Sequence, residues 1–208
     1  NWDIEAEESG FVQHLGQRSL RLQNGRARIK SLQLTNGVIE YDVAFAEQRS
    51  FVGVRFRRQD ENNAEEFYLR PHQSGNPDAS QYTPIYNGMA GWQLYHGEGY
   101  SKELKHKFNA WNHVKIVINN KRGEVFFNDM SEPAFTIGQF VRPINKGGIS
   151  FFGFMAPAFI ANVNVQEQSQ PRLQSSTPRK KTDKMPDTVR EWSISSSFHH
   201  SKLGEFSD

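Results

Sequence analysis

The segment WNHVKIVINNKRGEVFFND (Trp111–Asp129) contains two runs of alternating residues separated by a short polar turn. In the first run Val114, Ile116 and Ile118 share one face, and the second run, EVFFND, follows the turn NNKRG. Successive side chains of a β-strand point to opposite faces, so this pattern predicts a β-hairpin with one face buried.

The same period-2 alternation recurs on both sides of this hairpin. We interpret SLRLQNGRARIKS as a further hairpin around Asn24-Gly25, and in GWQLYHG we expect Trp92 and Leu94 on the core side, with Trp111 also in the core. Glycine, asparagine and proline separate these short segments, which predicts an all-β fold, a two-sheet antiparallel β-sandwich of the jelly-roll kind. We expect more than ten strands and no helix beyond a turn or two within residues 10–165. The other alternating segments are VIEYDVAFA, FVGVRFRR, EFYLRP, GGISFFGF and AFIANVNV.

The composition agrees with a β-rich core and narrows the choice of partners. Hydrophobic residues make up 36% of the chain and aromatic residues 12%, so a core must use many aromatic rings, which strands accommodate well. The net charge of +2 is too small to indicate a nucleic-acid partner, and no apolar run reaches membrane-spanning length. Since the chain lacks cysteine, disulfides and thiolate metal sites are excluded.

The chain divides by composition into three parts. Residues 1–166 form the predicted sandwich, and residues 167–188 are rich in polar residues and proline, which predicts a flexible linker. Residues 189–208 regain apolar side chains but are too few for a core of their own. They are interpreted either as a strap that docks on the sandwich or as the start of a further domain.

The alternation also predicts a ligand-binding surface. In EEFYLRPHQSG, Phe67 and Leu69 are expected in the core, which places their strand neighbours on the outer face, beside an aromatic loop from Gln73 to Gly91. Aromatic rings cover the apolar faces of sugars while charged groups bind hydroxyls, so we expect a carbohydrate ligand. The predicted ligand-binding residues on outer faces are Arg55, Arg57, Tyr68, Arg70, His72, Gln93 and Tyr95.

A simpler interpretation of the charged residues is a solvated sheet face with ordinary cross-strand pairs. For Glu40, Asp42, Arg55 and Arg57, taken alone, this interpretation is the better supported one. The tyrosines, Arg70 and His72 adjoin the aromatic loop, so for them binding and solvation are equally supported. Because Tyr68 is expected on an outer face, replacing it with alanine should weaken glycan binding and leave stability nearly unchanged.

Catalytic and metal sites are predicted only weakly. Glu40 and Asp42 lie two residues apart, about 7 Å on one strand face, a separation compatible with glycoside hydrolysis, with His72 as a further candidate. In DENN, Asp60 and Asn62 offer oxygen ligands for calcium, although acidic-amide turns usually have no metal. The sequence otherwise indicates no cofactor.

The order of NGVIEYDVAF, SFVGVRFRR, EEFYLRPHQSG and WNHVKIVINNKRGEVFFND resembles the concanavalin A-like lectin/glucanase superfamily. Within it, the chain is most similar to bacterial laminin-G-like and 3-keto-disaccharide hydrolase-like domains, over about residues 10–165. The resemblance implies a jelly roll and an exported protein, secreted or periplasmic, whose leader is absent from this chain. It also implies a ligand surface at an arginine-bearing strand followed by a tyrosine-bearing strand, here Arg55 or Arg57 and then Tyr68.

The resemblance does not extend to the catalytic motif of the glucanases. Those enzymes have Glu-x-Asp-x-x-Glu on one strand, whereas Glu40-Tyr41-Asp42 is followed here by Val43, Ala44 and Phe45, so the final glutamate is missing. We therefore favour a carbohydrate-binding module, with further domains of a longer chain as its expected partners. Two alternatives are kept beside it. These are a glycoside hydrolase acting on a di- or oligosaccharide, and a protein-interaction sandwich without a sugar ligand.

Overall fold

The structure, a computed structural model, describes residues 1–175. This part contains thirteen β-strands and one 3-10 turn, Pro71–Gln73, in agreement with the predicted all-β fold. The strands are β1 (Trp2–His14), β2 (Gln17–Leu34), β3 (Gly37–Phe45), β4 (Phe51–Arg58), β5 (Ala64–Leu69), β6 (Ser80–Tyr86), β7 (Met89–Ala90), β8 (Ser101–Lys102), β9 (Asn112–Asn119), β10 (Arg122–Phe127), β11 (Phe135–Ile137), β12 (Gly147–Phe154) and β13 (Ala158–Glu167).

The strands form a continuous antiparallel sheet that curls into a sandwich. Their order is β11-β10-β9-β3-β13-β2-β12-β4-β5-β6-β7, while β1 pairs with β2 and β8 pairs with β6. The long strand β2 joins the two halves, since its residues 20–22 pair with β13 and its residues 25–28 pair with β12. One half is thus built around β3, β9 and β13, and the other around β12, β4 and β5.

Aromatic and branched side chains fill the space between the halves. The rings of Tyr41 on β3 and Phe151 on β12 lie 5.0 Å apart, and those of Phe67 on β5 and Phe135 on β11 lie 6.2 Å apart. Both pairs join the two halves, so the core lies between them. The alternation predicted these inner faces correctly: the buried side chains include Ile39, Tyr41, Val43, Val52, Val54, Phe56, Phe67, Leu69, Val114, Ile116 and Ile118.

The hairpin predicted around Asn24-Gly25 is wrong. Strand β2 continues through these residues, and β1 pairs with it between Gln17 and Ile29. Asn24 has a positive φ of 49° and its side-chain oxygen accepts a hydrogen bond from the backbone of Met155, so it makes a bend within the strand. The turn lies instead at Leu15 and Gly16, both with positive φ, between β1 and β2.

Two further expectations about the core are also wrong. The segment GWQLYHG forms no strand, and Trp92 and Leu94 are 47% and 80% exposed. Trp111 lies only partly buried before β9, where its indole N–H donates to the carbonyl of Leu15 at 3.1 Å. The short alternation in GWQLYHG therefore wrongly predicted a strand. The segment is a loop, and it contacts the sheet through the backbone carbonyls of Trp92 and Tyr95, which accept from Gln81 on β6.

The chain that follows β13 lies against the β9-β10 hairpin as far as it is described. Glu124 is fully buried and accepts hydrogen bonds from the backbone N–H groups of Gln174 and Ser175, at 2.8 and 2.6 Å. The carbonyl of Pro171 accepts one from Asn119 at 2.9 Å. The first residues of the predicted linker thus contact the sandwich, while residues 176–208 lie outside the described part. Within residues 1–175 no helix is long and apolar enough to cross a membrane.

Candidate functional site

A pocket of about 420 Å³ opens on the outer face of the half that contains β12, β4 and β5. Its aromatic lining residues are Phe51, Tyr68, Trp92, Phe152 and Phe154, its polar ones are Arg49, Arg55, Glu66, Arg70 and His72, and Ala90 completes it. The volume falls in the range of small-molecule sites. Four of the seven predicted ligand-binding residues are therefore brought together in one pocket: Arg55, Tyr68, Arg70 and His72.

The aromatic wall follows from strand register. Phe152 on β12 pairs with Gly53 on β4, and Gly53 pairs in turn with Tyr68 on β5. A Cβ at Gly53 would lie 2.3 Å from the carbonyl oxygen of Phe67 and 2.7 Å from the Cβ of Tyr68, so the strands allow only glycine there. Two large rings consequently flank a position without a side chain, which leaves room above the sheet.

A buried ion pair lies at the base of the pocket. Arg55 and Glu66 are cross-strand neighbours, and the Nε of Arg55 donates to Glu66 at 2.6 Å, with the two side chains only 9% and 8% exposed. The guanidinium also lies 5.7 Å from the ring centre of Phe152. Burial raises the pKa of Glu66, although the charge of Arg55 partly opposes this effect.

Arg70 is surrounded by three aromatic rings. Its guanidinium lies 5.4 Å from the ring centre of Tyr68, 5.5 Å from that of Trp92 and 6.0 Å from that of Phe51. Arg70 pairs with Asp78 and donates to the hydroxyl of Tyr68 at 2.9 Å. These contacts fix the guanidinium plane beside Trp92.

Gln81 on β6 holds the aromatic loop over the sheet. Its side-chain N–H donates to the carbonyl oxygens of Trp92, at 2.7 Å, and Tyr95, while its oxygen accepts from the hydroxyl of Tyr68 at 2.7 Å. Tyr68 is consequently only 5% exposed. The expectation that Tyr68 is exposed on the outer face is wrong, because the loop covers part of that face.

His72 lies in the 3-10 turn that follows β5. Its Nδ1 accepts a hydrogen bond from the backbone N–H of Ser50 at 3.4 Å, and its ring meets that of Phe51 edge-on at 5.3 Å. Partial burial and the nearby charges of Arg49 and Arg70 hold its pKa below the ordinary value. Because Nδ1 accepts from Ser50, the neutral form of the ring has its hydrogen on Nε2.

Arg57 lies on the other side of the sheet from the pocket, contrary to prediction. Its φ is +48°, at a point where the β4-β12 register shifts, and this bulge interrupts the alternation. The side chain donates to the carbonyl oxygens of Thr35 and Asn120, both at 2.7 Å, and its guanidinium lies 5.2 Å from the ring centre of Phe140 in the core. Arg57 therefore links turns of the sandwich.

Gln93 and Tyr95 also lie outside the pocket lining, because their segment is a loop rather than a strand. Gln93 is exposed, and the ring of Tyr95 packs edge-on against Tyr100 at 5.4 Å. Trp92, which was expected in the core, lines the pocket in their place.

The structure does not bring Glu40 and Asp42 together with His72. Both carboxylates belong to β3, in the other half of the sandwich, and neither lines the pocket. Their partner is His113 on β9, whose Nδ1 lies 2.5 Å from Asp42 and whose Nε2 lies 2.8 Å from Glu40. A combination of either carboxylate with His72 is therefore not formed, while the two carboxylates share one face of β3, as their spacing predicted.

The side chain of Asp60 forms an ordinary turn. One of its oxygens accepts from the backbone N–H of Asn62 at 2.7 Å, and both accept from the side chain of Asn63 at 3.0 and 3.1 Å. Among residues 1–175 no group of three or more histidine or acidic side chains is placed to hold a metal ion. Calcium binding at Asp60 and Asn62 stays a prediction.

Sequence reasoning missed several pocket residues, and for some of them a signal existed. Glu66 shares the alternation of Tyr68 and Arg70, so it belongs to the same face. Likewise, Phe152 and Phe154 alternate with the buried Phe151. Arg49 lies in a loop, where period-2 alternation predicts nothing.

Comparisons with solved structures place this architecture in a known class, the concanavalin A-like jelly rolls. The chain is similar to the carbohydrate-binding module CBM66 from Bacillus subtilis, with a TM-score of 0.59 and 14% identity over 80% of this chain and 95% of that one. It is similar to the Bacillus licheniformis beta-glucanase, with a TM-score of 0.55 and 12% identity over 80% of this chain and 92% of that one.

A further similar structure is a Bacillus subtilis protein of unknown function with a galectin-like fold, with a TM-score of 0.56 and 13% identity over 80% of this chain and 89% of that one. No protein-family model matches the sequence, and a search of curated proteins finds no match. At these identities the comparisons show the fold, and the residues of the site must indicate the function.

Proposed function

We propose that this chain is a carbohydrate-binding module that holds a sugar in the pocket lined by Tyr68, Arg70 and Trp92. The observation that carries the proposal is the combination of aromatic walls with fixed hydrogen-bonding groups in one cavity of about 420 Å³. Trp92 is 47% exposed while Arg70 lies beside it, so part of the indole remains accessible for stacking on a sugar ring. The likeness to a carbohydrate-binding module supports the proposal at the level of the fold.

Binding is better supported than hydrolysis because the pocket has a single carboxyl group. Glycoside hydrolysis normally uses two carboxyl groups separated by about 5 to 9.5 Å. Within the described part of the chain, Glu66 is the only acidic residue that lines the pocket, and it is already paired with Arg55.

One observation nevertheless keeps hydrolysis as a second candidate. Burial raises the pKa of Glu66, and a raised pKa is the direction in which the carboxyl of a general acid is shifted. If the chain hydrolyses a glycoside, Glu66 is the acid, and Glu66→Gln should abolish release of reducing sugar. Absence of release by the native chain from a glycan that it binds would exclude this candidate.

The binding proposal is tested by a matched pair of tryptophan variants. The native chain is screened on a glycan array, and its affinity for the best ligand is measured by calorimetry. We expect Trp92→Ala to lower that affinity about tenfold or more, since truncating a tryptophan that anchors a binding partner costs about 2 kcal/mol or more. Trp111→Ala is the control, because Trp111 is also partly exposed but lies near Leu15, outside the pocket.

Equal affinity of both variants would contradict the site, and absence of any glycan binding would contradict the function. A protein partner would then be the remaining alternative among those the sequence suggested. Export, which the resemblance implies, stays a prediction.

A further inference from the structure

The polar groups of the pocket are nearly all hydrogen-bond donors. Arg49, Arg55 and Arg70 can only donate, and His72 is a donor through its Nε2, since its Nδ1 accepts from Ser50. The hydroxyl of Tyr68 is engaged in both senses, accepting from Arg70 and donating to Gln81. Glu66 is then the single acceptor side chain among the lining residues described.

This imbalance does not suit a neutral sugar. Each sugar hydroxyl donates as well as accepts, and a buried donor without an acceptor costs about 1–3 kcal/mol. Glu66 can serve few such hydroxyls because one of its oxygens accepts from Arg55 at 2.6 Å. A ligand that presents acceptors only, such as a carboxylate or a sulfate, fits the donors better.

The charges agree with the hydrogen-bond inventory. Arg55 is balanced by Glu66, and Arg70 by Asp78, which lies outside the lining. Arg49 has no ion pair or hydrogen bond with any residue from 1 to 175, and it lowers the pKa of neighbouring His72. One complete guanidinium therefore remains at the pocket for an anionic group, which it can bind through two parallel hydrogen bonds.

We propose that the pocket selects an acidic glycan, in which a carboxylate or sulfate of the sugar binds Arg49 while the ring stacks on Trp92. This inference rests on the proposed function, and it names the ligand class of the same site. Arg70 and His72 border the same cavity and supply further donors to the anionic group.

The test compares pairs of glycans in which the acidic group is present in one member and masked or removed in the other. Calorimetry on the full chain uses oligogalacturonides of one length, unesterified and methyl-esterified, and sulfated galactan oligosaccharides with their desulfated forms. We expect the acidic member of one pair to bind about tenfold tighter or better, as charge-assisted hydrogen bonds allow. The affinity should fall between 50 and 300 mM salt, roughly as screening shortens the Debye length. The pair that shows the difference identifies carboxylate or sulfate.

Two arginine variants assign the effect to the pocket. Arg49→Gln should lower the affinity for the acidic member about fivefold or more, in line with loss of one charge-assisted contact, and so reduce its advantage over the neutral partner. Arg18→Gln is the control, because Arg18 is also exposed and lies beside Phe11 on the β1-β2 hairpin. A similar loss in Arg18→Gln would indicate nonspecific attraction and overturn the inference.

The two proposals fail in different ways. If neutral glycans bind as tightly as acidic ones and Trp92→Ala abolishes that binding, the acidic preference is wrong and the binding module stands. If neither kind of glycan binds, both proposals are wrong.

Discussion

The two outer faces of this sandwich obey the same alternation and have different environments. On β5, Tyr68 is 5% exposed because the loop held by Gln81 lies over it, and Glu66 is 6% exposed beside its partner Arg55. On β3 and β9, the side chains of Glu40 and His113 are about one-third exposed, at 32% and 34%. The pattern in the sequence is the same for both faces, so it identifies the side of a strand but not whether another segment covers that side.

The two faces should differ most in the stability that is lost when an ion pair is broken. Arg55→Met leaves Glu66 buried without its partner, and we expect a loss of about 3 to 5 kcal/mol in the free energy of unfolding at pH 8. The loss should be smaller at pH 5. Without Arg55 the pKa of Glu66 rises further above its unfolded value, so the variant gains stability as the pH falls and the carboxyl binds a proton.

Urea denaturation at both pH values measures this effect. Asp42→Asn on the other face is the comparison, for which we expect at most about 1 kcal/mol because that pair is partly solvated. Equal losses of unfolding free energy in the two variants would show that the loop does not shield the ion pair on the pocket face from water.

The second comparison concerns an aromatic residue on the covered face. Tyr68→Ala should cost about 3 kcal/mol, the cost of truncating a buried ring, although Tyr68 lies on an outer face. Tyr68→Phe should cost about 1 kcal/mol, since it removes only the hydroxyl that donates to Gln81 at 2.7 Å.

Thermal or urea unfolding of these variants is compared with that of Lys115→Ala. Lys115 lies on the other half, opposite Glu40 on β3, and its replacement should change stability within about 0.5 kcal/mol. A Tyr68→Ala loss as small as that of Lys115→Ala would show that the loop does not cover the face in solution.

The fold was predicted well from the sequence because strand alternation is a local pattern, which is visible within one segment of the chain. Alternation places Val114, Ile116 and Ile118 in the core without knowledge of their neighbours, and the same reasoning succeeds for β4 and β5. It fails at Asn24 and Arg57, where a positive φ bends the strand or inverts the alternation. A bulge depends on register with a distant strand, such as the shift between Gly148 and Ser150, and no nearby residue indicates it.

The pocket was predicted only in part for the same reason. Arg55, Tyr68 and Arg70 follow from strand alternation and lie together, whereas Trp92 reaches them through the contacts of its loop with Gln81. The pairing of Glu40 and Asp42 with His113 likewise depends on which strand lies beside β3. Alternation limits such residues to a face, and the order of the strands in the sheet decides which of them meet.

Two histidines allow a comparison of pH dependence between the interior, where His106 lies, and the exposed face, where His113 lies. His106 is 8% exposed between the rings of Phe45 and Phe127, and burial lowers its pKa to about 4. A depressed folded pKa gives stability that is present above the unfolded pKa of about 6.5 and is lost as the pH falls toward 4.

We therefore expect His106 to destabilise the fold by about 2 kcal/mol at pH 5 relative to pH 8, from about 1.4 kcal/mol per unit of pKa. His106→Leu removes the proton-binding site and keeps an apolar side chain there. The difference in unfolding free energy between the native chain and this variant should change by that amount between the two pH values. A constant difference would show that the ring gains a proton in the folded state as easily as in the unfolded one.

His113 should give the smallest effect, with the opposite sign. Partial burial by itself would lower its pKa, but the hydrogen bonds to Asp42 and Glu40 outweigh burial and raise it. A raised folded pKa gives stability that is fully present below the unfolded value of about 6.5 and is lost as the pH rises through the folded value. His113→Gln should thus cost up to about 1 kcal/mol at pH 5.5, the range of partly exposed ion pairs, and almost nothing at pH 8.5.

Urea denaturation at these two pH values measures this cost. A Glu40→Gln, Asp42→Asn double variant should reproduce the same pH dependence, since the two carboxylates are the partners of the ring. If His113→Gln costs the same at both pH values, the imidazolium form does not stabilise this face, and its charges form a solvated surface without a folded-state preference.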